Sequence, residues 1–505
     1  MEGQLCFPEF NRVATPAMCR EADRVTIEDF GIDGFTLMEI AARHAAEIIE
    51  RETGNHRSGL YLCGKGNNAG DALAAGRTLS EESGHKINIL MVDGRDNLSA
   101  DTQHNLALIK KLIEHGSDIH ILESMTTDPN LDFDYIVDGL LGTGISGDVR
   151  SPYKEIIEQV NRCSIPVFSM DLPSGLDAEK GTIHGTAVHA THTITFGMNK
   201  TGFYLNGASK FTGTVHLGKL PFPGFAKEFE ASIITPALQD ILPSFARKAK
   251  HKYDDGVVHI IAGSEGLTGA AIMAAKSAWQ KGAGAVILYT TRGNLPHYEK
   301  NLPQVIKVVV GDGEQNSFTP DHSKKIIESM NQRPGVLLAG PGMGTSAEAG
   351  ELLMTVLSMI NGPAVLDADA LCNMEAISRL PEQRRKQLLL TPHIGEAKNY
   401  LGMNFNDDFT RLNEANDFVK KTRCAILLKG NPTFLIDSDS QKFITAYDTT
   451  PFTRAGFGDV LAGTIAANLG INRKLHTSVI DALLHGLKKY HQHKGDSAFG
   501  PEHLL

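Results

Sequence analysis

Long apolar runs are missing from this 505-residue chain: none approaches the ~18 residues a membrane-crossing helix needs. A basic-then-apolar leader is also missing, so a cytoplasmic protein that binds no membrane is expected. Positive charge is in deficit. The net charge of -10 argues against a nucleic-acid partner, which would want a basic stripe, and leaves small anionic ligands open. Cysteine is sparse and unpaired in spacing: Cys6, Cys19, Cys63, Cys163, Cys372 and Cys424 contain no C-x-x-C, which excludes a zinc or disulfide framework read from spacing. Two catalytic signatures are absent as well. Without G-x-x-x-x-G-K-[ST] there is no P-loop, and without G-x-S-x-G there is no serine-hydrolase elbow.

What is present is an ordinary globular composition, 41% hydrophobic and 21% charged, with 50 glycines that suit an α/β fold rich in ligand loops. The length implies two or three domains. The most informative stretch is 453–463, where Gly456-Phe457-Gly458-Asp459 precedes an apolar helix expected over 460–469. Bare amides at a helix start attract anions, and Asp459 beside them could take a proton from a hydroxyl attacking a bound phosphoryl group. By itself, Gly-Asp at this place also fits a simple helix cap.

The rest of the chain supplies more strand ends that run into polar loops. In the first half, an amphipathic helix over 36–51 is followed by a strand at 59–63, a Gly-rich turn at 64–71 and a helix at 72–82. Strands at 133–137 and 165–170 end at Asp138 and Asp171. In a parallel doubly wound sheet such ends share one rim, where ligands bind. A linker is expected at 221–253, where prolines and a run of Arg247, Lys248, Lys250 and Lys252 interrupt the rhythm. A second series follows, with strands at 257–262, 283–289, 335–339, 364–366 and 425–428, and a small-residue helix at 270–281. The fold expected is α/β with two doubly wound domains, placed at 1–225 and 226–505.

Asn67-Asn68-x-Gly70-Asp71, Leu141-Gly142-Thr143-Gly144 and Asp171-Leu172-Pro173-Ser174-Gly175, with Thr195-Phe196-Gly197 and Lys200 beyond, resemble the epimerase domain of NAD(P)H-hydrate repair enzymes. That resemblance implies a Rossmann-like fold and a hydrated dinucleotide, NADHX or NADPHX, held by Asn67, Asn68, Ala69, Gly70 and Asp71. Gly142, Thr143, Gly144, Ile145, Ser146, Gly147, Asp148 and Tyr153 would also line the substrate. Asp171 would be the acid/base residue, and Asn68, Asp138 and Ser174 would hold K⁺. The second half, closed by Gly456-Phe457-Gly458-Asp459, resembles the dehydratase domain of the same family, which is ribokinase-like. There Lys429, Gly430, Asn431, Pro432, Thr433 and Gly458 would meet ADP, or ATP, with Mg²⁺. Ala271, Gly344 and His393 would touch the hydrate, and Asp459 would be the base.

The chain departs from the family pattern in several places. Lys65 stands where proline is usual, Ala72 where glycine is usual, and Phe457 where a small Ser or Thr is usual; residues 448–452 and 252–256 also differ. The function implied is bifunctional repair: epimerisation of R and S hydrates and nucleotide-driven dehydration of the S form, by a homo-oligomer. Two rival readings share the residues. One is a ribokinase-like small-molecule kinase, and the other is a chain with one half reduced to a dinucleotide-binding regulatory module.

Overall fold

The computed structural model describes residues 7–94, 96–125, 129–242, 256–311, 313, 316–471 and 474–505. Their contacts define two compact units, Phe7–Ser232 and Ile233–Leu505, and the chain passes from one to the other within the short strand Ala231–Ile234. The described part of the expected linker therefore carries regular structure. Pro243, Arg247, Lys248, Lys250 and the departure at 252–255 lie outside the described residues.

In the first unit, helix α1 (Gly34–Thr53) is followed by β1 (Ser58–Cys63), α2 (Asn67–Ser83), β2 (Lys86–Met91), α3 (Ala100–Glu114) and β3 (Ile119–Leu122). Then come β4 (Tyr135–Gly139), α4 (Tyr153–Val160), β5 (Val167–Met170), β6 (His192–Phe196) and β7 (Thr214–Gly218). The strands form one parallel sheet in the order β3-β2-β1-β4-β5-β6-β7. Both faces are covered. Tyr61, Tyr135 and Phe168 meet apolar residues of α1, α2 and α3 on one side, while Leu60, Leu62 and Ile136 meet Ile157 and Val160 of α4 on the other. This explains why the strands read as apolar runs and not as alternating patterns. The strand order reverses between β1 and β4, and a crevice opens at such a reversal.

Helix α2 starts at Asn67, five residues before the expected 72, so Asn67 through Asp71 form its first turn instead of a loop. Gly66, extended at φ -90° and ψ -177°, is the N-cap. N–H groups at such a helix start attract anions. Ala72 sits inside the helix and is fully buried, so its backbone needs no glycine. Room for its methyl comes from the neighbouring strand, where a Cβ added at Gly139 would lie only 2.8 Å from the Ala72 Cβ.

The second unit repeats the plan. Its elements are β8 (Val257–Ile261), α5 (Thr268–Lys281), β9 (Ala285–Thr291), β10 (Ile306–Val310), α6 (Ser323–Gln332), β11 (Val336–Ala339) and α7 (Ala347–Met359). They continue with β12 (Ala364–Leu366), β13 (Leu388–Leu390), β14 (Ala425–Leu428), β15 (Phe434–Ile436), β16 (Lys442–Thr445), α8 (Phe457–Gly470) and α9 (Leu475–Gln492). The order is β10-β9-β8-β11-β12-β13-β14-β15-β16, parallel through β14 and antiparallel for the last two strands. The α/β, doubly wound class expected from the sequence holds for both units.

Helix α8 is apolar and packs on α5, on α9 and on the sheet. Its approach to α5 is close enough that a Cβ at Gly463 would collide with Ser277 Oγ and the Ala274 carbonyl oxygen. Gly463→Ala is therefore expected to lower the unfolding free energy of this unit by about 1–3 kcal/mol, the usual cost of overpacking. An unchanged denaturant midpoint would show that the two helices can separate freely.

Two candidate active sites at the strand rims

In the first unit the C-terminal ends of β1, β4, β5 and β6 bring the expected residues to one rim. Asp138, at the end of β4, is fully buried, and the register sets it beside Ser169 of β5. Its Oδ1 accepts from Ser174 Oγ at 2.5 Å and Leu140 N–H at 3.3 Å. Its Oδ2 accepts from Ser169 Oγ at 2.7 Å and Ser174 N–H at 2.9 Å. Burial pushes the Asp138 carboxyl up despite these donors. Asn68 Nδ2 donates to the carbonyls of Leu141 and Met170 at 3.0 and 2.8 Å. Asn68, Asp138 and Ser174 thus share one hydrogen-bonded cluster.

Asp171 follows β5 in the left-handed region, at φ 61°, a conformation that costs a non-glycine residue about 1 kcal/mol or more. It is held there by its N–H on the Ile194 carbonyl and by Lys200, whose Nζ lies 2.5 Å from Oδ1 and also donates to Thr195 Oγ1 at 2.6 Å. The Lys200 side chain is 1% exposed and that of Asp171 20%, so the carboxylate faces outward from a buried cation. Burial opposes the Lys200 charge, but Asp171, Cys19 and Asp23 together hold the ammonium pKa above the usual value. Asp71 lies in the same field: burial first, then Asp171 and Asp23, push its carboxyl far up.

Asp23 was not anticipated. It lies on the helix Pro16–Arg24, which follows a short strand whose Ala14 pairs with Lys200. Burial and the Asp171 charge raise its pKa to about 6, against the opposing pull of Lys200. Tyr153 donates to Asp93 at 3.0 Å, and Lys65 stands 3.6 Å from the same carboxylate, beside the turn after β1. Gly144, Ser146, Gly147 and Asp148 are exposed, and Gly142, Thr143 and Ile145 half-buried, along the rim after β4; Asn67 is exposed at the start of α2, and Ala69 and Gly70 are buried within it.

In the second unit a cavity of about 570 Å³ gathers His393, Lys429, Gly430, Asn431, Thr433, Gly458 and Asp459. Gly456 caps α8 at φ 94°, and Gly458 and Asp459 fall in its first turn, because α8 begins at Phe457 and not at 460. Lys429 Nζ donates to Asp367 Oδ1 at 2.8 Å, and Thr391 Oγ1 donates to the same oxygen at 2.8 Å. Gly458 stands over this pair, with its Cβ position 3.3 Å from Lys429 Nζ. Asp459 is pushed up to about 6 by burial, then by Asp367 and Asp369, with Lys429 pulling the other way.

The loop after β14 is anchored to residues 448–450. Thr449 Oγ1 donates to the Gly430 carbonyl at 2.6 Å, and Asn431 Nδ2 donates to Asp448 Oδ1 at 2.9 Å. His393 is the N-cap of Ile394–Tyr400, where its Nδ1 accepts from Gly395 and Glu396 N–H, and its side chain is 60% exposed into the cavity. Gly344 N–H donates to Asp369 Oδ2 at 2.9 Å, while Ala271 is fully buried on α5. Ala271, Gly344 and Pro432 are not among the residues lining the cavity.

Comparison with known proteins matches a long stretch of each unit to a family model. Residues 34–202 match the YjeF-related protein N-terminus, and residues 258–492 match NAD(P)H-hydrate dehydratase. The Bifunctional NAD(P)H-hydrate repair enzyme Nnr of Salinibacter ruber is 30% identical over 484 residues, covering 91% of this chain and 87% of its own length. Its namesake from Coxiella burnetii is 31% identical over 456 residues, covering 88% and 87%. The chain belongs to the bifunctional NAD(P)H-hydrate repair enzymes. A crystal structure of the ADP/ATP-dependent NAD(P)H-hydrate dehydratase from Bacillus subtilis, co-crystallised with ATP/Mg²⁺, is 21% identical, covers 55% of this chain and 96% of its own, and has a TM-score of 0.46.

Phe457, read from the sequence as a departure from the pattern of these repair enzymes, has a defined place in the structure. The side chain is buried, stacks on Phe499 at 5.4 Å and meets Phe452 edge-on at 5.6 Å. Phe499 also packs on Tyr490, and Arg454 donates to the Phe499 and Ser497 carbonyls at 2.8 Å. The ring thus ties the anion cradle to the segment that ends in Pro501–Leu504, and Leu504 lines the cavity. Phe499→Ala, which removes ring contacts with Phe452, Phe457 and Tyr490 and with two histidines, is expected to raise the nucleotide KM of dehydration by about tenfold or more, with epimerisation unchanged. Equal losses in both activities would point to a general folding defect.

The Asp459 shift also has a stability consequence. The native state keeps its proton up to about pH 6, whereas the unfolded chain releases it near 3.8. Ionising Asp459 therefore destabilises the fold, not at all below the unfolded value, increasingly between the two, and by about 3 kcal/mol above both. Asp459→Asn should stabilise the protein by about twice as much near pH 8 as near pH 5, measured by denaturant titration. Equal gains at the two pH values would contradict the shift.

Proposed function

We propose that the first unit interconverts the R and S hydrates of NADH and NADPH, and that the second dehydrates the S form with ADP, or ATP, as phosphoryl donor. With ADP the products are NAD(P)H, AMP and phosphate. The observation that carries the proposal is Asp459, partly desolvated in the first turn of α8, beside the half-buried Gly456 and Gly458 and the Lys429–Asp367 pair.

In the second unit the donor's terminal phosphate would rest on the α8 amides and Lys429, with Gly430, Asn431, Pro432 and Thr433 against the nucleotide. Asp459 would take the proton of the hydrate hydroxyl as its oxygen attacks the terminal phosphorus and the bond to AMP breaks. The ring nitrogen then expels phosphate, and a neighbouring ring carbon gives up a proton to restore the reduced nicotinamide. His393, Gly344 and Ala271 would orient the hydrate. The carboxylates Asp367, Asp369 and Asp459 outnumber Lys429, so the site suits Mg²⁺, which Asp367 and Asp369 would hold with the nucleotide. When bound, the ion neutralises charge on the transferring phosphoryl group.

In the first unit the residues Asn67 through Asp71, Gly142 through Asp148 and Tyr153 would hold the hydrate. Asp171 would move the proton on and off the hydroxyl as water leaves one face of the ring carbon and returns to the other. Asp71 and Asp23, both biased towards the neutral acid, would supply that proton. K⁺ suits the cluster of Asn68, Asp138 and Ser174, because every group there offers oxygen and none of the hydrogen-bond partners of Asp138 is a cation. Its charge would offset that of the buried Asp138. A cytoplasmic homo-oligomer completes the proposal, and the absence of disulfides among the described cysteines Cys19, Cys63, Cys163, Cys372 and Cys424 suits a reducing compartment.

The test follows the absorbance of reduced nicotinamide after protein is mixed with purified R hydrate, ADP and Mg²⁺. Wild type should restore all of it, Asp459→Asn none, and Asp171→Asn only as fast as spontaneous epimerisation allows. A stable phosphorylated dinucleotide with no restored NADH would instead favour the kinase reading.

A further inference from the structure

Glu52, His192 and His216 lie towards the opposite end of the strands from Asp171. Glu52 is on the last turn of α1, His192 opens β6, and His216 lies on β7, where it pairs in register with Ile194. The register gives the two histidines a diagonal relation on one face. His192 Nδ1 and His216 Nε2 are 3.0 Å apart, and one ligand atom from each of the three residues falls within 4.8 Å of the others. His192 is fixed by stacking on Phe168, with ring centroids 4.9 Å apart and planes 10° from parallel.

Hydrogen bonding determines where the imidazole protons sit. Arg51 NH2 can only donate, so His216 Nδ1, 3.3 Å away, accepts. The proton of His216 then lies on Nε2 and points at His192 Nδ1, which accepts in turn. Arg51 also donates to Glu52 Oε1 at 3.0 and 2.8 Å. One exposed guanidinium therefore serves as the cation for both Glu52 and His216.

We propose that these three residues form a transition-metal site that takes Zn²⁺, with two imidazoles and one carboxylate as protein ligands and water completing the shell. Imidazole with carboxylate suits zinc, and a tetrahedral site needs the two nitrogens at roughly 3.4 Å, a small opening from the observed spacing. Zinc replaces the proton on His216 Nε2 and moves it to Nδ1. It also displaces Arg51 from both partners and fastens the end of α1 to β6 and β7.

The test is calorimetric titration of chelator-treated full-length protein with Zn²⁺, with Mg²⁺ as control, on wild type, His192→Ala, His216→Ala and Arg51→Ala. One Zn²⁺ per chain is expected in wild type, with loss of that event in either histidine variant and tighter binding in Arg51→Ala, where the competing cation is gone. Nitrogen-15 spectra should show the His216 proton moving from Nε2 to Nδ1 on titration. Retained hydrate repair in the histidine variants confirms that they fold. The absence of binding by wild type at micromolar Zn²⁺ would overturn the proposal, as would binding that survives both histidine substitutions.

Discussion

The contact between α5 and α8 at Gly463 is the constraint on which the second site depends. With no side chain between them, the helices close to backbone distance, and the N-terminal turn of α8 is held over the rim of the sheet. Bare amides at that turn form a place for an anion, while the same burial makes the charge on Asp459 expensive. The two effects work together. In the proposed reaction, cations held with the nucleotide would offset this penalty and let Asp459 act as the base.

The first unit solves a related problem differently. It sets Asp171 against a buried lysine in a left-handed backbone conformation, with two further carboxyls biased towards their neutral forms. Burial, and then the charge of Asp171, makes ionising Asp23 and Asp71 costly. Protons are therefore available for reversible loss of water, which suits an epimerisation that needs no outside phosphate.

Much of this was legible in the sequence because the signals are local. Apolar runs ending in Gly, Asn or Asp gave the strand rims, and Gly-x-Gly-Asp before an apolar run gave the anion cradle. Helix starts were read several residues late at both α2 and α8, because Asn and Gly weaken helix propensity while the tertiary fold still recruits them into the first turn. Asp23 escaped notice because its meaning comes from Lys200, brought beside it by a strand pairing that no local pattern records. The accommodation of Ala72 by Gly139 and of Phe457 by Phe499 was hidden for the same reason: each depends on a residue distant in the chain.

The central claim is that Asp459 directs the hydrate's own oxygen onto phosphorus before that oxygen leaves the ring. The most direct measurement starts from S hydrate prepared in water enriched in oxygen-18 and follows the released phosphate by mass spectrometry during dehydration with ADP in unlabelled water by the Asp171→Asn protein, whose first unit no longer exchanges the hydroxyl with solvent. The account predicts one heavy oxygen in each phosphate released. Unlabelled phosphate formed alongside full recovery of reduced nicotinamide would mean that the hydroxyl leaves as water, and that Asp459 does not drive phosphoryl transfer to the hydrate.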